Sequence, residues 1–354
     1  MSAHLLAVGT ATPNFDVHEL FIDWAAQRVR PDQRALFGRM AARAGIKHRR
    51  SVLPQAVAFG GSTAGGGFYA DADWPGTAKR MAVYADAAPI LALAAIDALI
   101  IKRPMGDITH LVVASCTGFV APGLDQIIAR RLNLPGSVER LLIGFMGCYA
   151  AVAALRSARH IVRSDPSARV LVVCCELSTL HLQDTDQLEP LLAMLQFGDG
   201  AAAALVAAEP GGFALDAPFS ATLPDSDSLI RWTITDAGFA MHLSGEVPRR
   251  IGAALAEEAF VTAVTAGRGA GGIDRWAVHA GGRSILDAVE QGLSLPSDAL
   301  KPSREVLSEF GNMSSATLMF VLERLLAGPR VEHGVALAFG PGLAAEGLTF
   351  RSAR

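Results

Sequence analysis

Residues 143–158 read IGFMGCYAAVAALRSA: an apolar run, a glycine turn, then a stretch of helical composition. This predicts that a strand, RLLIG, gives way at Gly147 to a helix opening at Cys148 and running through CYAAVAALRSARHIVRS. Working outward, the same pattern recurs. HLVVAS is followed by CTG and then APGLDQIIARRLNL, VLVVCCE reads as a further strand, and FGDGAAAALVAA as a turn and another strand. Continuous apolar strands alternating with helices predict an α/β chain whose sheet is covered on both faces. Within VLVVCCE, a strand would point Cys174 and Cys175 in opposite directions.

The C-terminal part repeats the arrangement. DRWAVHAGGRSILDAVEQGLSLP (274–296) follows the order of THLVVASCTGFVAPGLDQIIARRLNLP (109–135): strand, small-residue turn, helix, Leu-Pro terminator. GNMSSATLMFVLERLL then takes the part of GCYAAVAALRSARHIV, and HGVALAFGPG parallels RVLVVCCE. Cys148 follows Ala114 by 34 positions, and Asn312 follows His279 by 33. Such near-equal spacing predicts an internal duplication. We divide the chain into residues 1–220, carrying the cysteine, and 221–354, carrying the histidine and asparagine, with an extensive shared interface. Halves packed about a pseudo-twofold axis would let Cys148 and Asn312 start equivalent helices and face one cleft.

Elsewhere, His18 to Gly45 reads as mostly helical with an interruption at Pro31, and Lys79 to Ile101 as a helix limited by Pro104. Between them, Phe59 to Gly76 is rich in Gly, Ala and Ser, and is expected to be a long surface loop.

Composition narrows the classes of function. With 31 basic and 34 acidic side chains the net charge is -3, which gives no general attraction for nucleic acid or an anionic bilayer. The N-terminal MSAHLLAVGT lacks the basic leader and sustained apolar run of a secretory signal, and runs such as AAAALVAA fall short of the roughly 20 residues of an integral membrane segment. The four cysteines, Cys116, Cys148, Cys174 and Cys175, form no CxxC pair and no zinc-type cluster, so no metal is expected. Free thiols without an export signal point to the cytoplasm.

Three residues carry the chemistry. At a helix start, exposed N–H groups and aligned peptide dipoles favour a Cys148 thiolate, and a nearby imidazolium would favour it further. A thiolate attacks thioester carbonyls and is itself a competent leaving group. His279 ends the strand of DRWAVHAGG, where it can project into a cleft and donate to an oxygen that gains charge. Asn312, in FGNMSSAT, offers N–H bonds to the same oxygen without depending on pH. Each has a plainer reading: a buried cysteine filling a tight turn, a histidine satisfied by a carbonyl, an asparagine capping a helix. Together they fit decarboxylative Claisen condensation, in which Cys148 takes an acyl group from a CoA thioester. Loss of CO2 from malonyl-CoA then leaves an enolate held by His279 and Asn312. That chemistry needs no bound cofactor; CoA thioesters are the substrates. The strand-following loop Gly340, Pro341 and Gly342 can shape one wall, and Arg39 and Arg43, four apart on one helical face, can meet CoA phosphates.

At this point the sequence resembles the type III polyketide synthases, the chalcone-synthase-like branch of the thiolase superfamily, in a bacterial-looking form. The resemblance covers nearly the whole chain and rests on GFMGCYAAVAALR, LVVCCELSTLHLQ, LQFGDGAAAALV, WAVHAGGRSILDAVE, GNMSSATLMFVLE and FGPGL. It implies a thiolase-like fold of duplicated αβαβα layered halves, a homodimer, and Cys148, His279 and Asn312 as the catalytic triad. It also implies a gatekeeper at Phe197 and places Met241, in GFAMHL, where a second gatekeeper phenylalanine is usual. Cys116, Ser178 and His181 fall where the family tunes its elongation cavity. Arg39 and Arg43 match two basic CoA contacts, with Leu36 at the remaining one. HAGG stands where HPGG is usual, so Ala280 frees that turn from proline's restriction. Acyl-CoA starter and malonyl-CoA are the implied partners, and fatty acyl, malonyl and aromatic starters leading to pyrones, resorcinols or related products stay open. The competing readings are a ketoacyl synthase III-like enzyme condensing once on an acyl-carrier-protein substrate and, from another class, a non-enzymatic interaction protein with an inert Cys148.

Overall fold

The structure, a computed structural model, describes residues 2–54, 58, 67–69 and 74–353. The expected loop from Phe59 to Gly76 therefore lies mostly outside the described residues. The strands are β1 (Ala3–Ala11), β2 (Phe15–Asp16), β3 (Arg50–Ser51), β4 (His110–Ser115), β5 (Glu139–Gly144), β6 (Arg169–Leu177) and β7 (Asp199–Ala207). After them come β8 (Phe213–Thr222), β9 (Ile230–Thr235), β10 (Gly238–Leu243), β11 (Arg275–Val278), β12 (Gly334–Gly340) and β13 (Ala344–Ser352). The helices of the first part are α1 (His18–Arg28), α2 (Arg34–Arg43), α3 (Thr77–Lys102), α4 (Leu124–Arg131), α5 (Ala150–Ser164) and α6 (Leu188–Met194). Those that follow are α7 (Val247–Leu255), α8 (Glu258–Val264), α9 (Arg283–Gly292), α10 (Lys301–Phe310) and α11 (Ser315–Leu326).

Nine strands form one mixed sheet in the order β11-β12-β13-β8-β1-β7-β6-β4-β5. Its symmetry is plain from the middle outward. From β1 the neighbours β7, β6 and β4 pair antiparallel, antiparallel and parallel. From β8 the neighbours β13, β12 and β11 pair in the same three senses. This is the duplication that the 34- and 33-residue spacings anticipate, with β1 and β8 joining the halves antiparallel. β8 runs through residue 220, so the dividing line drawn there falls inside a strand that pairs with both halves.

Helices α5 and α11 pack against each other and against strands of both halves, so the sheet curls around this pair. Strand alternation fills the space: Val170, Val172 and Cys174 of β6 join Ala151, Ala154 and Leu155 of α5 and Met319 and Leu322 of α11 in one core. Leu171, Val173 and Cys175 face the other way, into a core shared with Ala88, Ala92, Ala95 and Ile96 of α3. The result is helix, sheet, central helix pair, sheet and helix. α3 is long and apolar enough to cross a membrane by composition. Its inner side lies in the sheet's core, while Asp86 and Asp97 occupy its exposed side.

Candidate active site

The central helices bring the chemistry together. Cys148 lies in a single 3-10 turn, Gly147–Tyr149, between β5 and α5. The turn demands glycine at 147: φ is +72°, and a Cβ there would come within 2.5 Å of Pro341 Cδ. His279 follows β11 directly, and its N–H donates to the Leu337 carbonyl of β12 at 2.8 Å. Asn312 does not begin α11; it stands three residues ahead of that helix, in a parallel bridge with Phe197. Its backbone N–H donates to Gln196 O at 2.8 Å and its carbonyl accepts from Gly198 N at 3.0 Å. Long-range pairing thus sets its place. Phe145 and Ser314, three residues before Cys148 and two after Asn312, hold positive φ of 59° and 47°, a backbone strain of order 1–3 kcal/mol each.

Cys148, His279 and Asn312 line one chamber. The Asn312 amide Nδ2 lies 4.0 Å from Cys148 Sγ and donates to Gly281 O at 3.1 Å, while its Oδ1 accepts from Ser314 N at 2.8 Å. Both His279 ring nitrogens are buried without a hydrogen-bond partner among the described residues, and the residue is only 2% exposed. A buried imidazole facing a cavity with neither nitrogen satisfied is arranged for a ligand atom.

Burial acts against the ionisation expected from the sequence. Burial pushes the Cys148 thiol up to about 11, reinforced by the nearby Glu176 carboxyl and only partly opposed by hydrogen bonds from Ser314 and Asn312. Burial also takes His279 down to about 3. Desolvation thus opposes charge on both groups, and works against the helix-start dipole that favours a thiolate.

The other anticipated residues divide. Phe197, Met241, Cys116, Ser178, Gly340 and Pro341 line the chamber. Gly342 is not on that wall; its carbonyl accepts from Ser226 Oγ at 3.4 Å in the turn beyond. His181 lines a small pocket behind the chamber, with its Nε2 bonded to Thr117 O at 2.7 Å and its Nδ1 accepting from Phe239 N at 3.1 Å. Leu243 and Ile285 line the chamber and also two surface grooves of about 810 and 340 Å³. Arg43 and Arg283 line the smaller groove; Arg39 is exposed on α2 and lines neither.

Residues not foreseen complete the site. Thr117, Ile230, Trp232 and Ser314 also line the chamber. Behind it, the fully buried Glu176 carboxylate accepts from Cys116 N at 3.0 Å, Thr117 Oγ1 at 2.9 Å and Ser315 Oγ. Two buried arginines hold the surrounding backbone. Arg49 donates to Met194 O and Phe197 O at 3.2 and 2.8 Å, and Arg80 donates to Leu180 O and Leu182 O at 2.8 Å each. Alternating Ile230 and Trp232 ahead of the Asp-Ala-Gly turn was the one available signal for the hairpin wall.

Comparison with known proteins agrees across the chain. The family described as chalcone and stilbene synthases matches twice, its N-terminal domain over residues 1–210 and its C-terminal domain over residues 215–354. Bisdemethoxycurcumin synthase of Oryza sativa subsp. japonica is 33% identical over 381 aligned residues, covering 98% of this chain and 91% of that protein. The alpha-pyrone synthesis polyketide synthase-like Pks18 of Mycobacterium tuberculosis is 35% identical over 255, covering 69% of this chain and 65% of that one. Among solved structures, PKS-I from the brown alga Ectocarpus siliculosus superposes with a TM-score of 0.89 at 28% identity, covering 99% of this chain and 98% of that one. The C-terminal type III polyketide synthase domain of Steely1 from Dictyostelium has the same fold, with a TM-score of 0.89 at 24% identity and complete coverage of both chains.

Proposed function

This chain belongs to the chalcone and stilbene synthase family and is a type III polyketide synthase, and from that premise we propose that Cys148 carries the acyl chain while His279 and Asn312 hold the enolate oxygen. The observation that carries this reading is the chamber itself, in which one thiol, one unpartnered imidazole and one amide share a wall. Members of the family use acyl-CoA and malonyl-CoA.

In the loading step Cys148 Sγ attacks the starter's thioester carbonyl, and His279 accepts the thiol proton as the bond forms. The carbon–sulfur bond to CoA breaks, and the proton passes from the imidazolium to the departing CoA thiolate. Malonyl-CoA then occupies the same chamber. Loss of CO2 leaves an enolate whose oxygen accepts from His279 and Asn312, both donors in a buried site. The enolate carbon attacks the acyl carbonyl on Cys148, expels the sulfur, and yields an acyl-CoA two carbons longer. Reloading repeats the cycle, and cyclisation gives a pyrone, a resorcinol or a related polyketide. Nothing in these steps calls for a bound cofactor.

Assembly and cellular setting belong to the same proposal. A homodimer is supported by β5, an edge strand where Leu141 and Leu142 are 43% and 41% exposed, with Phe119 at 42%. Unpaired apolar edges of this kind are normally covered. Sedimentation showing only monomer at micromolar concentration would remove the dimer from this proposal. A cytoplasmic setting is supported by four buried free thiols.

The decisive experiment mixes the protein with acyl-CoA, maps the adduct by mass spectrometry, adds malonyl-CoA and counts ketide units in the product. An adduct on Cys148 and more than one extension are expected. A single extension obtained only from a carrier-protein substrate would replace this reading with a ketoacyl synthase III-like one.

A further inference from the structure

The two surface grooves share a rim beside the chamber. Met40, Leu192, Gln196, Leu243, Ser284 and Ile285 line both grooves, and of these Leu243 and Ile285 also line the chamber. A thioester that reaches Cys148 from the grooves passes these two apolar side chains with Gln196 alongside. Gln196 immediately precedes Phe197, a residue of the chamber wall.

The Gln196 side chain is half-buried and held at one end. Its Nε2 donates to Leu192 O at 3.3 Å, one helical turn back, which leaves Oε1 as the free end. Oε1 is buried and has no hydrogen-bond partner among the described residues, whereas buried acceptors are ordinarily paired. Across from it lies bare backbone: a Cβ on Gly282 would stand 3.3 Å from this oxygen. Gly282 is extended, with φ of 165°, so backbone strain does not call for glycine there. Its missing side chain instead leaves the amide oxygen unobstructed next to Gly281, which lines the chamber and the smaller groove. The main chain of Gln196 is fixed as well, because its carbonyl accepts from Asn312 N at 2.8 Å.

A CoA thioester carries a secondary amide two methylenes from its sulfur and a second amide farther along the pantetheine arm. The methylenes suit Leu243 and Ile285, and each amide N–H needs an acceptor once it leaves water. Among the six shared residues only Gln196 and Ser284 have oxygen or nitrogen in the side chain, and only Gln196 holds a buried acceptor with no donor. We propose that Gln196 recognises the pantetheine arm, its Oε1 accepting an amide N–H as the thioester is seated over Cys148. The inference rests on the reading of Cys148 as the acyl-carrying nucleophile. Selection at the rim then falls on the arm, whatever acyl group it delivers.

The test uses the full-length protein and three propionyl thioesters: of pantetheine, with two amides; of N-acetylcysteamine, with one; and of 2-acetoxyethanethiol, where an ester oxygen replaces the N–H. Time-resolved intact-protein mass spectrometry gives the rate of Cys148 loading for each. Wild type should load an amide thioester faster than the ester by about tenfold, the worth of one hydrogen bond to an acceptor otherwise left unpaired. In Gln196→Met, which keeps the length of the side chain and removes the acceptor, that ratio should fall to about one. Gln196→Leu serves if the methionine variant does not fold. A preference confined to the pantetheine thioester and lost in the variant would place the second amide, rather than the first, on Oε1. Wild type without preference for an N–H would overturn the proposal. So would a variant slowed equally on all three thioesters, which would leave Gln196 only the task of holding Asn312. No adduct on wild-type Cys148 with any thioester, acyl-CoA included, would instead remove the nucleophile assignment.

Discussion

Asn312 presents its Nδ2 to Cys148 Sγ at 4.0 Å, while its backbone is tied on both sides to the strand-like segment that carries Phe197. The amide therefore depends on tertiary pairing rather than on the helix that follows it. Whatever loosens residues 196–198 moves a donor away from the sulfur.

Replacing Asn312 by Ala should leave acyl loading of Cys148 largely intact and slow malonyl-CoA decarboxylation by about 100- to 1,000-fold, the usual cost of one lost oxyanion donor. Released CO2, measured beside adduct formation, separates the two steps. Equal losses in both would mean that the amide acts mainly in loading or in folding.

The pH dependence follows from the Cys148 thiol being raised to about 11 and His279 lowered to about 3. A raised thiol pKa keeps the proton on sulfur through neutral pH, so only about 0.1% would be thiolate near pH 8, against about a tenth or more for an ordinary cysteine. Iodoacetamide labelling of the substrate-free enzyme should keep climbing by nearly tenfold per pH unit from 7 to 10. A plateau below pH 8 would reveal a thiolate–imidazolium pair and contradict the neutral resting state.

Glu176 is buried, and burial raises its carboxyl above the ordinary value even as Ser315, Cys116 and Thr117 donate to it. Glu176→Leu strands those donors and should cost about 1–3 kcal/mol in urea unfolding. Glu176→Gln keeps an acceptor oxygen, and the Ser315 hydroxyl can turn to accept from the new amide, so its loss should be smaller. Equal losses would show that charge, not hydrogen bonding, matters there.

Arg49 donates Nη1 to the carbonyls of Met194 and Phe197 and Nε to His18 Nδ1, and its stem fills the space over Gly311, where a Cβ would lie 2.9 Å from Arg49 Cγ. Arg49→Met should destabilise the protein by about 1–3 kcal/mol through the carbonyls left without donors. Hydrogen exchange at Gly198 and Asn312 should accelerate more than in the distant β12–β13 ladder. Uniform acceleration would assign the arginine to general stability alone.

Much of the fold was legible because periodicity and turn chemistry are local. Strand, Gly147 turn and helix, the repeated order, and the divergent faces of Cys174 and Cys175 all follow from residue types at fixed spacing. The candidate site was legible in its membership but not in its state. Cys148, His279 and Asn312 could be named, yet their ionisation depends on burial that only packing creates. Asn312 looked like a helix start because its bridge partner lies more than a hundred positions earlier. Nothing local marks Arg49 or Arg80 as a guanidinium that packs, buried, against backbone carbonyls. Trp232 escaped notice since a cavity wall exists only after the hairpin docks.

That hairpin has a consequence for how proteins of this shape diversify. Its ladder is private, so bulk at positions 232 and 241 can drift without disturbing the register of any strand that supports the sulfur, imidazole and amide. A change of side-chain size on that ribbon is insulated from the backbone that holds the three reactive groups in place.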